Sequence, residues 1–109
     1  MDKQKIVHRD LKMENILLCS NFNNYEIKLC DFGLASHINK IYNFRYCGTP
    51  GYVAPEILKG EDYGTSIDIF SLGVILFSLL SGRACFPGKN NKVVLKKNKM
   101  CKIYFKTKY

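Results

Sequence analysis

An α+β fold, mostly helical with one small β-hairpin, follows from three features of the 109 residues. Two short apolar runs flank a polar turn, and a long apolar run carries both a helix start and a helix stop. Between them lies a stretch without any period, broken by Gly48, Pro50, Gly51 and Pro55. A chain of this length holds one small domain at most and buries a modest share of its unfolded surface, so marginal stability is expected. Apolar residues at 47% and charged residues at 24% match ordinary globular usage. That composition excludes disordered, collagen-like and disulfide-miniprotein classes.

The hairpin comes first. Residues 16–19 and 26–30 are the apolar runs, and Ser20, Asn21, Phe22, Asn23 and Asn24 between them favour a turn. From Gly33 to Pro55 the sequence reads as an extended, mobile segment. Thr65 or Ser66 can then cap a helix running to about Leu80 and stopping at Gly82, with Asp68 in the first turn where the helix dipole favours a carboxylate. Apolar residues from Ile69 to Leu80 occupy every side of that cylinder, so the segment of about 65–81 is expected to be a long buried helix that 109 residues can scarcely enclose. After Phe86-Pro87-Gly88 a further helix is expected over roughly residues 90–98, followed by a strand-like Ile103-Tyr104-Phe105.

The five cysteines, Cys19, Cys30, Cys47, Cys85 and Cys101, form no CxxC pair and are odd in number. They suggest neither a zinc clip nor a disulfide framework, and they fit a reducing, cytoplasmic setting. The N-terminus lacks the apolar stretch of a secretory signal, and the longest oily segment, 69–80, is too short to span a bilayer. The net charge of +8 is uneven: residues 1–82 carry eight basic and nine acidic side chains, whereas the basic C-terminal segment 83–109 holds Arg83 and eight lysines with no acid. Lys96, Lys97, Lys99, Lys102, Lys106 and Lys108 alternate with Val94, Leu95, Met100, Ile103 and Phe105, the pattern of a solvated face over a packed one. No arginine-aromatic recognition motif accompanies them, so no nucleic-acid partner is expected.

Chemistry is concentrated in four motifs. His8-Arg9-Asp10-Leu11-Lys12-Met13-Glu14-Asn15 fits the pattern H-R-D-L-x-x-x-N. Asp31-Phe32-Gly33 follows a predicted strand 21 positions after Asp10, Ala54-Pro55-Glu56 closes the aperiodic stretch, and Asp68 lies in the apolar helix beyond. The bland reading, ordinary turn polars capping a hairpin, explains each motif alone but not their common order. In order and spacing they resemble the protein kinase family, and specifically the C-terminal lobe of a eukaryotic serine/threonine kinase, with a catalytic loop at 8–15 and an activation segment at 31–56.

That resemblance implies ATP and Mg²⁺ as cofactors and a protein Ser/Thr hydroxyl as acceptor. Phosphoryl transfer passes through a loose transition state, so catalysis is mostly positioning and charge neutralisation. By resemblance Asp10 accepts the hydroxyl proton, Asn15 and Asp31 hold the metal ions, Lys12 steadies the transferred phosphate and Thr49 bridges Asp10 and Lys12. Leu17 forms the floor under adenine, and His8 and Phe32 pack in a stack between lobes. Arg9, Gly33, Glu56 and Asp68 are implied as structural support. Asp68 also fits a plain solvated carboxylate at a helix start, and Glu14 fits either a contact to a basic substrate residue or a surface acid.

The wording of residues 48–56 is closest to the calcium/calmodulin-dependent group, again by resemblance. Within the 109 residues there is no Gly-rich loop, strand lysine or helix glutamate, so the N-terminal lobe is expected to be absent and the isolated chain inactive or nearly so. An arginine partner for Glu56 is missing as well. Arg45 occupies the position where many kinases carry an activating phosphothreonine, which points to control by a calcium sensor or an inhibitory segment. Tyr42, Tyr46 and Ser36 are alternative phosphate acceptors or plain loop residues, and Cys30 and Cys47 are ordinary thiols or reactive ones. The rival function is a non-catalytic lobe fragment that binds proteins without phosphorylating them.

Overall fold

Short β-rich runs and one long apolar helix organise the chain in the order expected of an α+β fold. The computed structural model describes residues 2–19, 25–43 and 46–105. Its strands are β1 (Ile6–Val7), β2 (Ile16–Leu18), β3 (Ile27–Leu29) and β4 (Ser36–His37), and its helices are α1 (Pro55–Leu58), α2 (Ser66–Ser81) and α3 (Asn91–Met100). Three 3-10 turns cover Asp2–Gln4, Met13–Asn15 and Ile38–Asn43.

β2 and β3 pair antiparallel, with Ile16 opposite Leu29 and Leu18 opposite Ile27, which is the expected hairpin. Its turn, residues 20–24, lies outside the described residues, as do Arg45, Lys106 and Lys108. The stretch from Gly33 to Pro55 departs from expectation. Ser36 and His37 form β4 against β1, Ile38–Asn43 is a 3-10 turn, and Tyr52 N–H closes a turn on the Thr49 carbonyl at 3.0 Å. The pairing partner of β4 lies about thirty residues earlier, a distance over which local pattern carries no information.

α1 starts with Pro55 at its first position, after an extended Ala54 (φ −63°, ψ 142°). α2 ends as expected: Gly82 takes φ 66° and donates its N–H to the Ser78 carbonyl. Its start falls within the expected bounds, but without the expected Thr65 cap bond. Thr65 has helical dihedrals and makes no side-chain cap.

Along α2 the buried residues Ile67, Ser71, Val74 and Ile75 follow the i, i+4, i+7, i+8 spacing of a single face. The opposite face, Ile69, Leu72, Leu76, Leu79 and Leu80, is exposed, so the expected burial holds for one side of this helix. One core cluster packs Val7, Val53, Ala54, Ile57 and Ile67; a second packs Val74, Cys85 and Phe86. Phe70 touches both and stacks on Phe86 at 6.3 Å. α3 is capped by Asn90, whose side chain accepts the Val93 N–H at 3.0 Å. Residues 103–105 form no strand, and Ile103 instead packs on the second cluster. Among the described residues no helix is long and apolar enough to cross a membrane.

Candidate active site

Two residues of the site adopt unusual backbone geometry, and long-range contacts hold the first of them. Arg9 (φ 68°) and Asp31 (φ 58°) both lie in the left-handed region that non-glycine residues seldom adopt. Such residues persist only where surroundings hold them. At Arg9 the holding group is Asp68, at the start of α2. Its carboxylate accepts the His8 N–H at 2.8 Å and the Arg9 N–H at 3.0 Å. Asp68 therefore spans sixty residues of sequence to fix the turn of the 8–15 loop, which rules out the reading as a solvated carboxylate.

His8 is fully buried. Because the Asp10 N–H can only donate, the ring accepts it at Nδ1 (3.2 Å) and donates from Nε2 to the Cys30 carbonyl (3.0 Å). The first bond braces the 8–15 loop internally, and the second ties it to the residue preceding Asp31. Phe32 meets the His8 ring edge-on at 4.9 Å, the contact expected between these two residues. The Arg9 guanidinium donates to the Leu34 carbonyl (2.6 Å) and to the Tyr63 hydroxyl (3.2 Å). Burial pushes the Tyr63 phenol above its ordinary pKa, with the Arg9 charge opposing that rise.

Asp10 stands at the centre. The Thr49 hydroxyl donates to its Oδ1 at 2.6 Å, Lys12 Nζ lies 3.5 Å from its Oδ2, and the same Nζ donates to Thr49 Oγ1 at 3.0 Å. A carboxylate, a cation and a hydroxyl thus form one closed triangle, in which Thr49 lies 37 and 39 positions from the other two. Asn15, nearly buried, donates from Nδ2 to the Asp10 carbonyl at 2.9 Å, which leaves its carbonyl oxygen as the atom suited to a hard cation. The Cys30 N–H bonds the backbone carbonyl of Asn15 at 2.9 Å, not the side-chain oxygen, so Asp31 follows directly on a residue clamped to Asn15. Asp31 itself is exposed and accepts the Gly33 N–H at 3.3 Å.

Leu17 is half exposed on β2, and Glu56 is half-buried at the start of α1. Among the described residues no hydrogen bond or ion pair joins either to the Asp10 triangle. Glu14 is exposed; burial, and after it the Glu14 charge, raises the Tyr52 phenol above its ordinary pKa. Four participants escape sequence reasoning: Leu34 and Tyr63 around Arg9, and Ser71 and Asn98 beneath the 49–53 segment. Asn98 alone carried a signal, since it sits four positions after Val94 on the packed face of α3.

Among the described residues no group of three or more His, Cys, Asp or Glu side chains could hold a resident metal ion. Mg²⁺ bound together with a phosphorylated substrate needs only one or two protein oxygens besides the phosphates and water. Asp31 and Asn15 meet that requirement in donor type.

Residues 1–109 match the family described as "Protein kinase domain". The chain is 55% identical over 104 residues, 95% of its length, to "Probable serine/threonine-protein kinase 2" of Plasmodium falciparum (isolate K1 / Thailand), of which it covers 20%. It is 52% identical over 79 residues, 71% of its length, to the "Calcium/calmodulin-dependent protein kinase type II alpha chain" of Drosophila melanogaster, of which it covers 15%. To "Calcium-dependent protein kinase 5" of Plasmodium berghei (strain Anka) it is 45% identical over 107 residues, 97% of its length and 19% of that protein. The chain thus spans about a fifth of the length of the curated relatives it matches. A match along all 109 residues, on a chain whose Asp10, Lys12 and Thr49 meet in one bonded triangle, means that the chain belongs to the protein kinase domain family.

Proposed function

We propose that these residues form most of the C-terminal lobe of a serine/threonine protein kinase that transfers the γ-phosphate of ATP to a protein hydroxyl. The observation that carries the reading is the triangle of Asp10, Lys12 and Thr49, closed at 2.6, 3.0 and 3.5 Å. In this reading Asp10 orients the acceptor hydroxyl and takes its proton. Lys12 lies beside the same carboxylate, where it neutralises charge on the transferred group. Thr49 holds both in register, and Asn15 and Asp31 supply the oxygens for Mg²⁺. The bound metal ions would neutralise charge on the phosphates of the nucleotide. Leu17, exposed on β2, is available as an apolar floor for the adenine ring.

Glu14, an exposed acid at the end of the 8–15 loop, suits a basic residue of the substrate. The calcium named in two relatives supports a calcium-linked regulator for the whole protein. A cytoplasmic location belongs to the same reading, supported by five unpaired thiols. The test is phosphoryl transfer from labelled ATP to a Ser/Thr peptide by the full-length protein. Asp10→Asn and Asp31→Ala are each expected to lower kcat at least ~100-fold, the scale of a lost general base or metal contact. Unchanged turnover in either variant would sink the assignment, and absence of transfer in the parent would favour a non-catalytic binding module.

A further inference from the structure

Asn98 is the only fully buried polar side chain of α3, and both of its bonds leave that helix for the segment that follows Thr49. Its Oδ1 accepts the Gly51 N–H at 2.9 Å, and its Nδ2 donates to the Val53 carbonyl at 2.6 Å. Between those two residues the Tyr52 carbonyl accepts from the Ser71 hydroxyl of α2 at 2.8 Å. Three consecutive residues of an otherwise irregular loop are therefore held by side chains from beneath. Burying a carboxamide completely is costly unless its polar atoms are bonded, and an apolar side chain would fill the position without that cost. What an apolar residue could not do is dictate the path of backbone 51–53.

We propose that Asn98 is a positioning residue: its carboxamide fixes the 51–53 backbone, and through it Thr49 on Asp10, so that it sets which side chains the site tolerates beside the acceptor hydroxyl. The inference rests on the kinase reading above. On that reading the acceptor hydroxyl is bound close to this segment, since the Thr49 hydroxyl is 2.6 Å from the Asp10 carboxylate and the Tyr52 N–H bonds the Thr49 carbonyl at 3.0 Å. Immediately behind the segment a cleft of about 340 Å³ opens between Pro50 and Tyr52 on one side and Val74, Phe86 and Val94 on the other. Movement of the 51–53 backbone would alter the wall of that cleft as well as the register of Thr49.

The test uses the full-length protein and its Asn98→Asp and Asn98→Ala variants. The first keeps shape and the acceptor for Gly51 but places a carboxylate oxygen against the Val53 carbonyl; the second removes both bonds. Each is assayed on Ser/Thr peptides that differ only in the residues flanking the acceptor. We expect the peptide KM to rise about tenfold while the KM for ATP changes less than about twofold, the scale of one lost buried hydrogen bond. The ratio of kcat/KM between best and worst flanking residues is expected to shift about fivefold or more. That ratio does not depend on how much enzyme is folded, so a purely structural role leaves it unmoved. Unchanged ratios in folded variants overturn the proposal, as does failure of both variants to fold. A parent protein with no transfer at all overturns the kinase reading first, and the proposal with it.

Discussion

Gly48 sits one residue before the hydroxyl that bonds Asp10, at a φ of +118° that L side chains rarely adopt. An added Cβ would approach Val53 Cγ2 to 2.8 Å and the Arg9 carbonyl to 3.2 Å. Gly48→Ala is therefore expected to destabilise the fold by about 1–3 kcal/mol of backbone strain and to displace Thr49, read as a lowered melting temperature together with lost turnover. Asp68 poses the opposite case, a charge whose removal leaves partners stranded. Asp68→Ala would orphan the N–H groups of His8 and Arg9, each worth about 1–3 kcal/mol when left unsatisfied. The left-handed turn at Arg9 would relax, and Asp10 would shift with it. A fall in kcat of about 100-fold is expected, the scale of an ångström-sized misplacement. Asp68→Asn, which retains one accepting oxygen, is expected to fall between the two, and equal kcat in all three proteins would refute this role.

At the scale of elements, α3 joins a site-facing residue to an exposed basic surface. Lys96, Lys97 and Lys99 are solvated, whereas Val93, Val94 and Leu95 are half-buried and Asn98 is enclosed. The helix depends on its cap, because Asn90 satisfies an N–H that no intrahelical carbonyl can reach. Asn90→Ala is expected to cost about 1 kcal/mol, measured as a shifted denaturation midpoint with an unchanged slope. Helix α2 has a comparable double character. Its buried face joins the two core clusters through Phe70, and its first turn holds the 8–15 loop through Asp68. The opposite face leaves Leu79 and Leu80 at 67% and 80% exposure.

For the whole molecule, the accessible surface of 8191 Å² exceeds the roughly 6,200 Å² expected of a compact monomer of 12.5 kDa. A radius of gyration of 14.9 Å likewise exceeds the value of about 13 Å for a chain of this size. The excess includes a continuous apolar stripe along α2, which in water favours association. The isolated 109-residue chain is expected to self-associate in light scattering. Replacing Leu72, Leu76, Leu79 and Leu80 with Gln is expected to return it towards the monomer. On the proposed reading of these residues as part of a longer kinase, the isolated 109 residues are also expected to transfer no phosphate above their Asp31→Ala variant. Turnover clearly above that variant would contradict this expectation.

Sequence alone determined what is local: the β2–β3 hairpin, the glycine stop of α2, and the identities and order of His8, Asp10, Asn15 and Asp31. The first two rest on local dihedral preferences and turn residues, and the four side chains stand out by their resemblance to a known order of motifs. Tertiary structure decided what lies far apart along the chain. Pairing of β1 with β4, the reach of Asp68 to the 8–15 loop, the Arg9 bond to Tyr63 and the Asn98 hold on residues 51 and 53 all join positions too distant for any period to connect. Which side of α2 is covered was decided in the same way, because apolar residues occupy every side of this helix and the polar Ser71 lies on the buried face, so no polar stripe marks an outer one. Hydrogen bonds and burial are satisfied in space, and a linear pattern registers them only where space and sequence run together.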